Sequence, residues 1–180
     1  MAIDSSKQRQ ILGHFATGVT VITTGDTIGH EWGMTANSIT SLSLDPPLVL
    51  FTINRLNKML GQLATTPYFA INILRSDQEN LSRRFAAPGP KNFAGIKVVF
   101  ATSRAPIFAD SLGYVECEVS EYLSGGDHKI VIGKVIDGNL YGGEPLIFFG
   151  GGYNSIIRSP ENIASGNYTL QESYEQFGAF

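Results

Sequence analysis

The chain reads as a mainly β domain, a barrel or sandwich of short strands with a few short helices. Three observations point there. Twenty glycines and eight prolines cut 180 residues into short pieces. β-branched and aromatic runs recur between them. No strand–helix–strand stretch carries Gly-x-Gly-x-x-Gly, which argues against a doubly wound nucleotide fold. The length suits one domain. Hydrophobic residues make up 43% and charged ones 16%, against roughly 25% charged on average. Such a chain can bury a sizeable core, and part of its surface is expected to face another subunit. The net charge of −3 excludes a strongly basic surface for nucleic acid or membrane. One cysteine excludes an intramolecular disulfide and a multi-cysteine zinc site. No run reaches the roughly 20 apolar residues of a membrane span, and Met1 to Gln10 has no apolar core like that of a signal peptide. A soluble, cytoplasmic protein is expected.

The elements follow in order. Ser5-Ser-Lys-Gln8 resembles a capping box with Ser5 as N-cap. It opens a helix with Ile11, Leu12 and Phe15 on one face, ended by Gly18. Val19 to Thr24 is β-branched and reads as a strand, and Gly25 to His30 as a turn. Trp32 to Leu44 reads as a second strand, stopped by Asp45-Pro-Pro47. Leu48 to Ile53 is a continuous apolar strand, Met59 to Ala64 a short helix, and Tyr68 to Leu74 a strand. Ser76-Asp-Gln-Glu79 is a second capping box before a helix through Leu81 and Phe85. Lys97 to Ala101 and Gly113 to Tyr122 read as strands. In the latter, Val115, Cys117 and Val119 are expected inside, with Tyr114, Glu116 and Glu118 outside. His128 to Ile136 is a strand, Asp137-Gly-Asn139 a turn, and Leu146 to Phe149 a last core strand. Residues 154–180 are polar and weakly patterned, a tail or an arm that docks on a neighbouring subunit.

Four places hold residues suited to chemistry. Thr35 to Ser43 is dense in hydroxyls and amides: Thr35, Asn37, Ser38, Thr40, Ser41 and Ser43. Strict alternation places Thr35, Asn37, Ser41 and Ser43 on one face. Such a face suits a ligand rich in acceptors, such as a phosphate, a ribityl chain or a heteroaromatic ring. It equally suits a solvent-facing edge strand. Asn54-Arg-Leu-Asn-Lys58 follows a buried strand and precedes a helix, a place where anions collect, with Arg55 and Lys58 adding charge. His128 follows Gly125-Gly-Asp127, where Asp127 could orient the imidazole. A rim histidine without chemistry looks the same. Tyr153 follows Gly150-Gly-Gly152, glycines that let a backbone approach a flat ligand. Cys117 reads as an inert core thiol. Three scattered histidines give no metal site, and Gly-x-Ser-x-Gly and a P-loop are both absent from the sequence.

Taken together, the run Met34-Thr-Ala-Asn-Ser-Ile-Thr-Ser-Leu-Ser-Leu-Asp-Pro-Pro-Leu48 is similar to the signature of the short-chain flavin reductases. So are Arg84-Phe-Ala86, Gly126-Asp-His128 and Pro145-Leu-Ile-Phe-Phe149 leading to Tyr153. The likeness runs from about Gln8 to Tyr153, and implies a domain over 1–153. It implies a homodimeric split β-barrel that binds FMN or FAD near the dimer interface. Met34, Thr35, Ala36, Asn37 and Ser38 would lie along the isoalloxazine ring. Ser41 and Ser43, with Asn54, Arg55, Asn57 and Lys58, would hold the ribityl chain and phosphate. Phe85 and Ala86 would border the flavin tail. His128 and Tyr153 would sit near the nicotinamide of NADH or NADPH, His128 being the catalytic residue.

The activity so implied is hydride transfer from NAD(P)H to flavin N5, with the reduced flavin passed to a partner monooxygenase. The chain departs from its relatives at Gly150 to Asn154, where many carry an arginine, and at Arg55 to Lys58, where many carry a Ser/Thr-rich loop. The first departure keeps open an alternative, a flavin-binding electron carrier without efficient NAD(P)H use. A barrel that has lost flavin is a third possibility, against which the hydroxyl-rich strand argues.

Overall fold

The computed structural model describes residues 3–25 and 31–156. Its elements are α1 (Ser5–Leu12), β1 (Thr17–Gly18), β2 (Thr20–Thr24), β3 (Trp32–Ala36), β4 (Ile39–Leu44), β5 (Pro47–Asn54), α2 (Met59–Thr65) and β6 (Tyr68–Ile73). A 3-10 turn (Ser76–Gln78) then leads into α3 (Glu79–Ala86). The rest is β7 (Val98–Phe100), β8 (Pro106–Phe108), β9 (Gly113–Gly125), β10 (His128–Leu140), β11 (Ile147–Phe149) and β12 (Gly152–Asn154).

Seven strands form one sheet in the order β3-β2-β6-β9-β10-β5-β4, and its pairs are antiparallel. β3 and β4 are the two edges of that sheet, yet only Asn37 and Ser38 separate them in sequence. Two residues cannot cross a flat sheet of seven strands. The sheet therefore curls until its edges meet at Asn37–Ser38. Smaller sheets, β1-β11-β12 and β7-β8, flank it.

Both faces of the curled sheet are covered. Ile22, Phe51, Ile53, Phe69, Ile71 and Val131 pack with Met59 and Leu63 of α2 into one core cluster. Val21, Leu74, Phe108 and Leu146 pack with Phe85 of α3 into a second. β2 contributes Ile22 to one and Val21 to the other, so all five of its residues are buried. Its uninterrupted β-branched run is what two covered faces require.

The structure corrects several expectations. Asp4, not Ser5, caps α1: its carboxylate accepts from the Ser6 and Lys7 amides at 3.1 and 3.2 Å. That helix ends at Leu12, before Gly13 rather than at Gly18, and buries none of its residues. The Trp32–Leu44 strand is two strands, and a bulge between Ser41 and Ser43 breaks the alternation in the second. Ser76 opens the 3-10 turn rather than the helix, where Gln78 Oε1 accepts from the Arg75 amide at 2.9 Å. Asp137 to Asn139 is no turn; it continues β10 through a bulge after Val135. Gly138 is required there, because a Cβ would meet the Tyr114 carbonyl at 2.8 Å. The sequence reading also missed the short β1, β8 and β12. The turn expected over 25–30 and the tail over 154–180 fall mostly outside the described residues.

Glu116 is the sharpest correction. It is fully buried rather than solvent-facing. Its carboxylate accepts from the Thr102 amide at 3.2 Å, the Ser103 amide at 2.8 Å and the Ser103 hydroxyl. The 101–105 segment lies over that face of β9, so the polar position there meets backbone instead of water.

Candidate functional site

The site begins at β3, an edge strand held between two helices. Alternate side chains point opposite ways. On one side, the Met34 sulfur accepts from Asn57 Nδ2 at 3.5 Å, next to α2. On the other, the Thr35 hydroxyl donates to the Ser82 carbonyl of α3 at 2.6 Å. Gly33 lets α3 approach: a Cβ there would lie 2.6 Å from Phe85 Cε1. Phe85 is held in turn by Phe93 edge-on, with ring centroids 5.0 Å apart. The result is a floor of backbone and small side chains with one aromatic wall.

A cleft of about 710 Å³ opens over this floor. From the residues singled out in the sequence, Met34 to Ser38, Asn54, Asn57, Lys58, Phe85, Ala86 and His128 border it. Ser41, Ser43, Arg55 and Tyr153 do not border it. Ser41 and Ser43 belong to β4, beyond the Asn37–Ser38 link that ends the floor. Arg55 adds its backbone amide, which donates to the Asp127 carbonyl at 3.1 Å and ties the 54–58 loop to the β9–β10 turn. Tyr153 is spoken for: its hydroxyl hydrogen-bonds the Ser82 hydroxyl at 2.8 Å, and the Arg83 guanidinium lies 4.8 Å over its ring. The same Arg83 guanidinium also pairs with Glu79 one turn earlier on α3, at 2.7 Å.

Sequence reasoning also missed part of the lining. Trp32, Thr52 and Lys91 border the cleft. Thr52 is the polar member of Phe51-Thr-Ile53, with both neighbours buried. That alternation was the available signal for it. Its hydroxyl donates to the Ser38 hydroxyl at 2.9 Å. Lys91 ends the Ala87-Pro-Gly-Pro loop, and its ammonium donates to the Ala87 carbonyl at the end of α3. Partial burial pulls its pKa below the usual lysine value.

The expectation that the α2 N-terminus would attract an anion is not supported by its amides. Asn57 Oδ1 accepts from the Met59 amide at 3.0 Å, and the Leu60 and Gly61 amides bond to the Asn57 and Lys58 carbonyls. Positive charge in the cleft therefore resides in side chains. Among the described residues, Lys58 and Lys91 line it, and no carboxylate does. An acidic chain has placed a cleft with a cationic described lining beside a flat floor, which suits an anionic, planar ligand.

His128 opens β10 at the rim, opposite Asn54 in the strand register. Its Nδ1 lies 2.8 Å from Asp127 Oδ1. The hydrogen bond to His128, and then its charge, hold the Asp127 carboxyl below the usual carboxylate range. Cys117 lies in the apolar cluster behind the floor, and burial pushes its thiol up to about 12. Among the described residues, no group of histidine, cysteine or carboxylate side chains could hold a metal, and no helix is long and apolar enough to cross a membrane.

Known proteins resemble this chain in sequence and in fold. The chain is 38% identical over 179 residues to a probable flavin reductase of Rhizobium meliloti, covering 98% of this chain and 58% of that protein's length. It is 34% identical over 155 residues to the reductase component of a Rhodococcus opacus 4-nitrophenol 4-monooxygenase/4-nitrocatechol 2-monooxygenase, covering 86% of this chain and 83% of the other. The structure superposes on the Streptomyces globisporus NADH:FAD oxidoreductase SgcE6 in complex with NAD and FAD fragments. The TM-score is 0.81 at 34% identity, covering 89% of this chain and 99% of that one. The family model for the flavin reductase like domain matches residues 12–156, which take in α1's end, the curled sheet and the whole cleft, and the chain belongs to that family.

Proposed function

We propose that the protein is an NAD(P)H:flavin oxidoreductase that reduces FMN or FAD and supplies the reduced flavin to a partner monooxygenase. The observation that carries this is the cleft: a flat floor over β3, an aromatic wall at Phe85 and, among the described residues, two lysines and no carboxylate. A volume of about 710 Å³ falls within the usual range for small-molecule sites, roughly 300–1,000 Å³. When bound, the flavin supplies the hydride chemistry, accepting at N5 from the reduced nicotinamide. The protein's own work is placement. Met34 to Ser38 line the isoalloxazine, offering backbone and side-chain hydrogen bonds to its edge. Lys58, with Asn54 and Asn57, holds the phosphate end. Phe85, Ala86 and Lys91 border the tail. His128 stands at the rim where a diffusing nucleotide enters, and acts on the hydride donor.

The functional unit is a homodimer on a split barrel, with the domain over 1–153 and the remaining residues as tail or arm. Large apolar side chains left uncovered on the single chain support this: Leu56 is 91% exposed, Phe15 75% and Leu44 70%. Leu56 borders the cleft itself, so a second subunit covering it would also close the rim. The free, buried Cys117 suits a reducing cytoplasm.

The test is loss of NADH or NADPH absorbance at 340 nm with and without added FMN or FAD. Oxidation that depends on flavin supports the reductase. Flavin binding without oxidation would move the assignment to an electron carrier, and no flavin binding would reject both.

A further inference from the structure

Tyr153 lies outside the cleft, yet its contacts run back to the floor by two routes. Gly150 and Gly151, at φ +61° and +80°, make the two-residue turn that pairs β12 with β11. The glycine run thus serves a hairpin. It sets Tyr153 directly across from Phe148, and Phe148 lies across from Thr17 of β1. Cross-strand partners share one face of a sheet. The three residues form a row, with the Phe148 and Tyr153 rings edge-on at 5.5 Å. Each outer member of the row reaches one floor residue. Thr17 Oγ1 accepts from Asn37 Nδ2 at 3.1 Å. The Tyr153 hydroxyl bonds the buried Ser82 hydroxyl at 2.8 Å, and the Ser82 carbonyl accepts from Thr35 at 2.6 Å. Thr35 and Asn37 flank Ala36, the last residue of β3. The contacts therefore close a loop around the end of the floor.

We propose that Tyr153 is a positioning residue for the flavin: through Ser82 it holds Thr35 and α3, and so sets the floor and the wall between which the isoalloxazine lies. This rests on the reductase reading above. β3 is an edge strand whose partner in the sheet is β2, so its outer side depends on contacts of this kind. Ser82 is gripped at both its hydroxyl and its carbonyl, which fixes α3 against β3. Phe85, the aromatic wall, follows on the same helix. A displaced Ser82 moves the wall and frees Thr35 together. Tyr153 does this without bordering the cleft itself.

The experiment is a double-mutant cycle on Tyr153→Phe and Thr35→Val, with FMN and FAD affinity read from quenching of Trp32. Tyr153→Phe removes one hydroxyl and keeps the ring that meets Phe148 and Arg83. Its flavin affinity should fall roughly three- to tenfold, the value of one hydrogen bond. The KM for NADH should hold, because none of these contacts reaches the β9–β10 turn. Ser82→Ala, which keeps the carbonyl, should match Tyr153→Phe. The double variant should bind flavin little worse than Thr35→Val alone, since both changes cut one route. Asn72→Leu supplies the comparison for stability alone. It orphans the buried Phe108 amide behind the sheet, so it should lower the urea midpoint and keep flavin affinity. Unchanged affinity in Tyr153→Phe, additive losses in the double variant, or an equal loss of affinity in Asn72→Leu would overturn the proposal. A wild type that neither binds flavin nor consumes NADH or NADPH would defeat the reductase reading. The link from Tyr153 to Thr35 would then still be decided by the urea midpoints of the same cycle, coupled if it holds and additive if it does not.

Discussion

The two sides of the curled sheet treat polar groups in opposite ways. Behind it, Asn72 is fully buried, and both ends of its amide are used. Nδ2 donates to the Val21 carbonyl at 3.1 Å and the Thr23 hydroxyl at 3.0 Å, while Oδ1 accepts from the Phe108 amide at 2.7 Å. Glu116 does the same for the 101–105 segment. Among the described residues, no buried side-chain polar atom is left without a partner. In the cleft, Asn54 and Asn57 spend their oxygens on their own loop, while two lysines stand at its edge without a carboxylate beside them among the described lining residues. Closed networks fix a fold, and open ones leave capacity for a ligand. The back of the sheet should therefore govern stability, and the cleft should govern binding.

The largest expected break in that division is at Glu116. Glu116→Ala strips the acceptor from two backbone amides and a hydroxyl. Stability should fall by about 3 kcal/mol at buried donors worth 1–3 each, read as a lower urea midpoint. The fraction that still folds should bind flavin normally; weakened binding would tie the two regions together. Asn72→Leu should cost about 2 kcal/mol by orphaning the Phe108 amide, in the same assay and again with flavin affinity intact. Gly33→Ala straddles the divide. Its methyl would press on Phe85, so stability should drop by roughly 1–2 kcal/mol and flavin affinity should fall with it. Lys58→Ala with Lys91→Ala should do the reverse of Glu116→Ala. The urea midpoint should hold within about 0.5 kcal/mol, while flavin affinity falls about tenfold or more, the scale of one charge-assisted bond, and less so at high salt. The smallest effect is at Cys117, which should resist alkylation at pH 8 in the folded protein because its thiol is pushed up to about 12. Rapid labelling would mean that the core behind the floor opens.

Much of this was legible in the residues. The apolar run of β5, the short helix after Asn57, the Gly126-Asp127 turn before His128 and the helix ending at Phe85 all declare themselves by pattern and turn chemistry. What stayed hidden depends on contacts far apart in sequence. Glu116 occupies the outward slot of an alternating strand, and only the 101–105 segment folded over it makes that slot interior. The break at Asn37–Ser38 carries no glycine or proline; it exists because β3 pairs with β2 and β4 with β5 at opposite edges of one sheet. Tyr153 looked free beside three glycines, but Ser82 and Arg83, about seventy residues earlier, engage it. Nothing in the Ala87-Pro-Gly-Pro stretch marks Lys91 as a cleft residue, because its place there depends on how the chain turns back after α3.

The central claim is that flavin lies over β3, and the chain carries its own probe for it. Trp32 is the single tryptophan and borders the cleft. Its fluorescence should be quenched to saturation as FMN or FAD is titrated in. The midpoint should shift to higher flavin concentration in the Lys58→Ala, Lys91→Ala double variant. A protein that turns over NADH with flavin while Trp32 emission stays unchanged would place the flavin elsewhere and contradict the account.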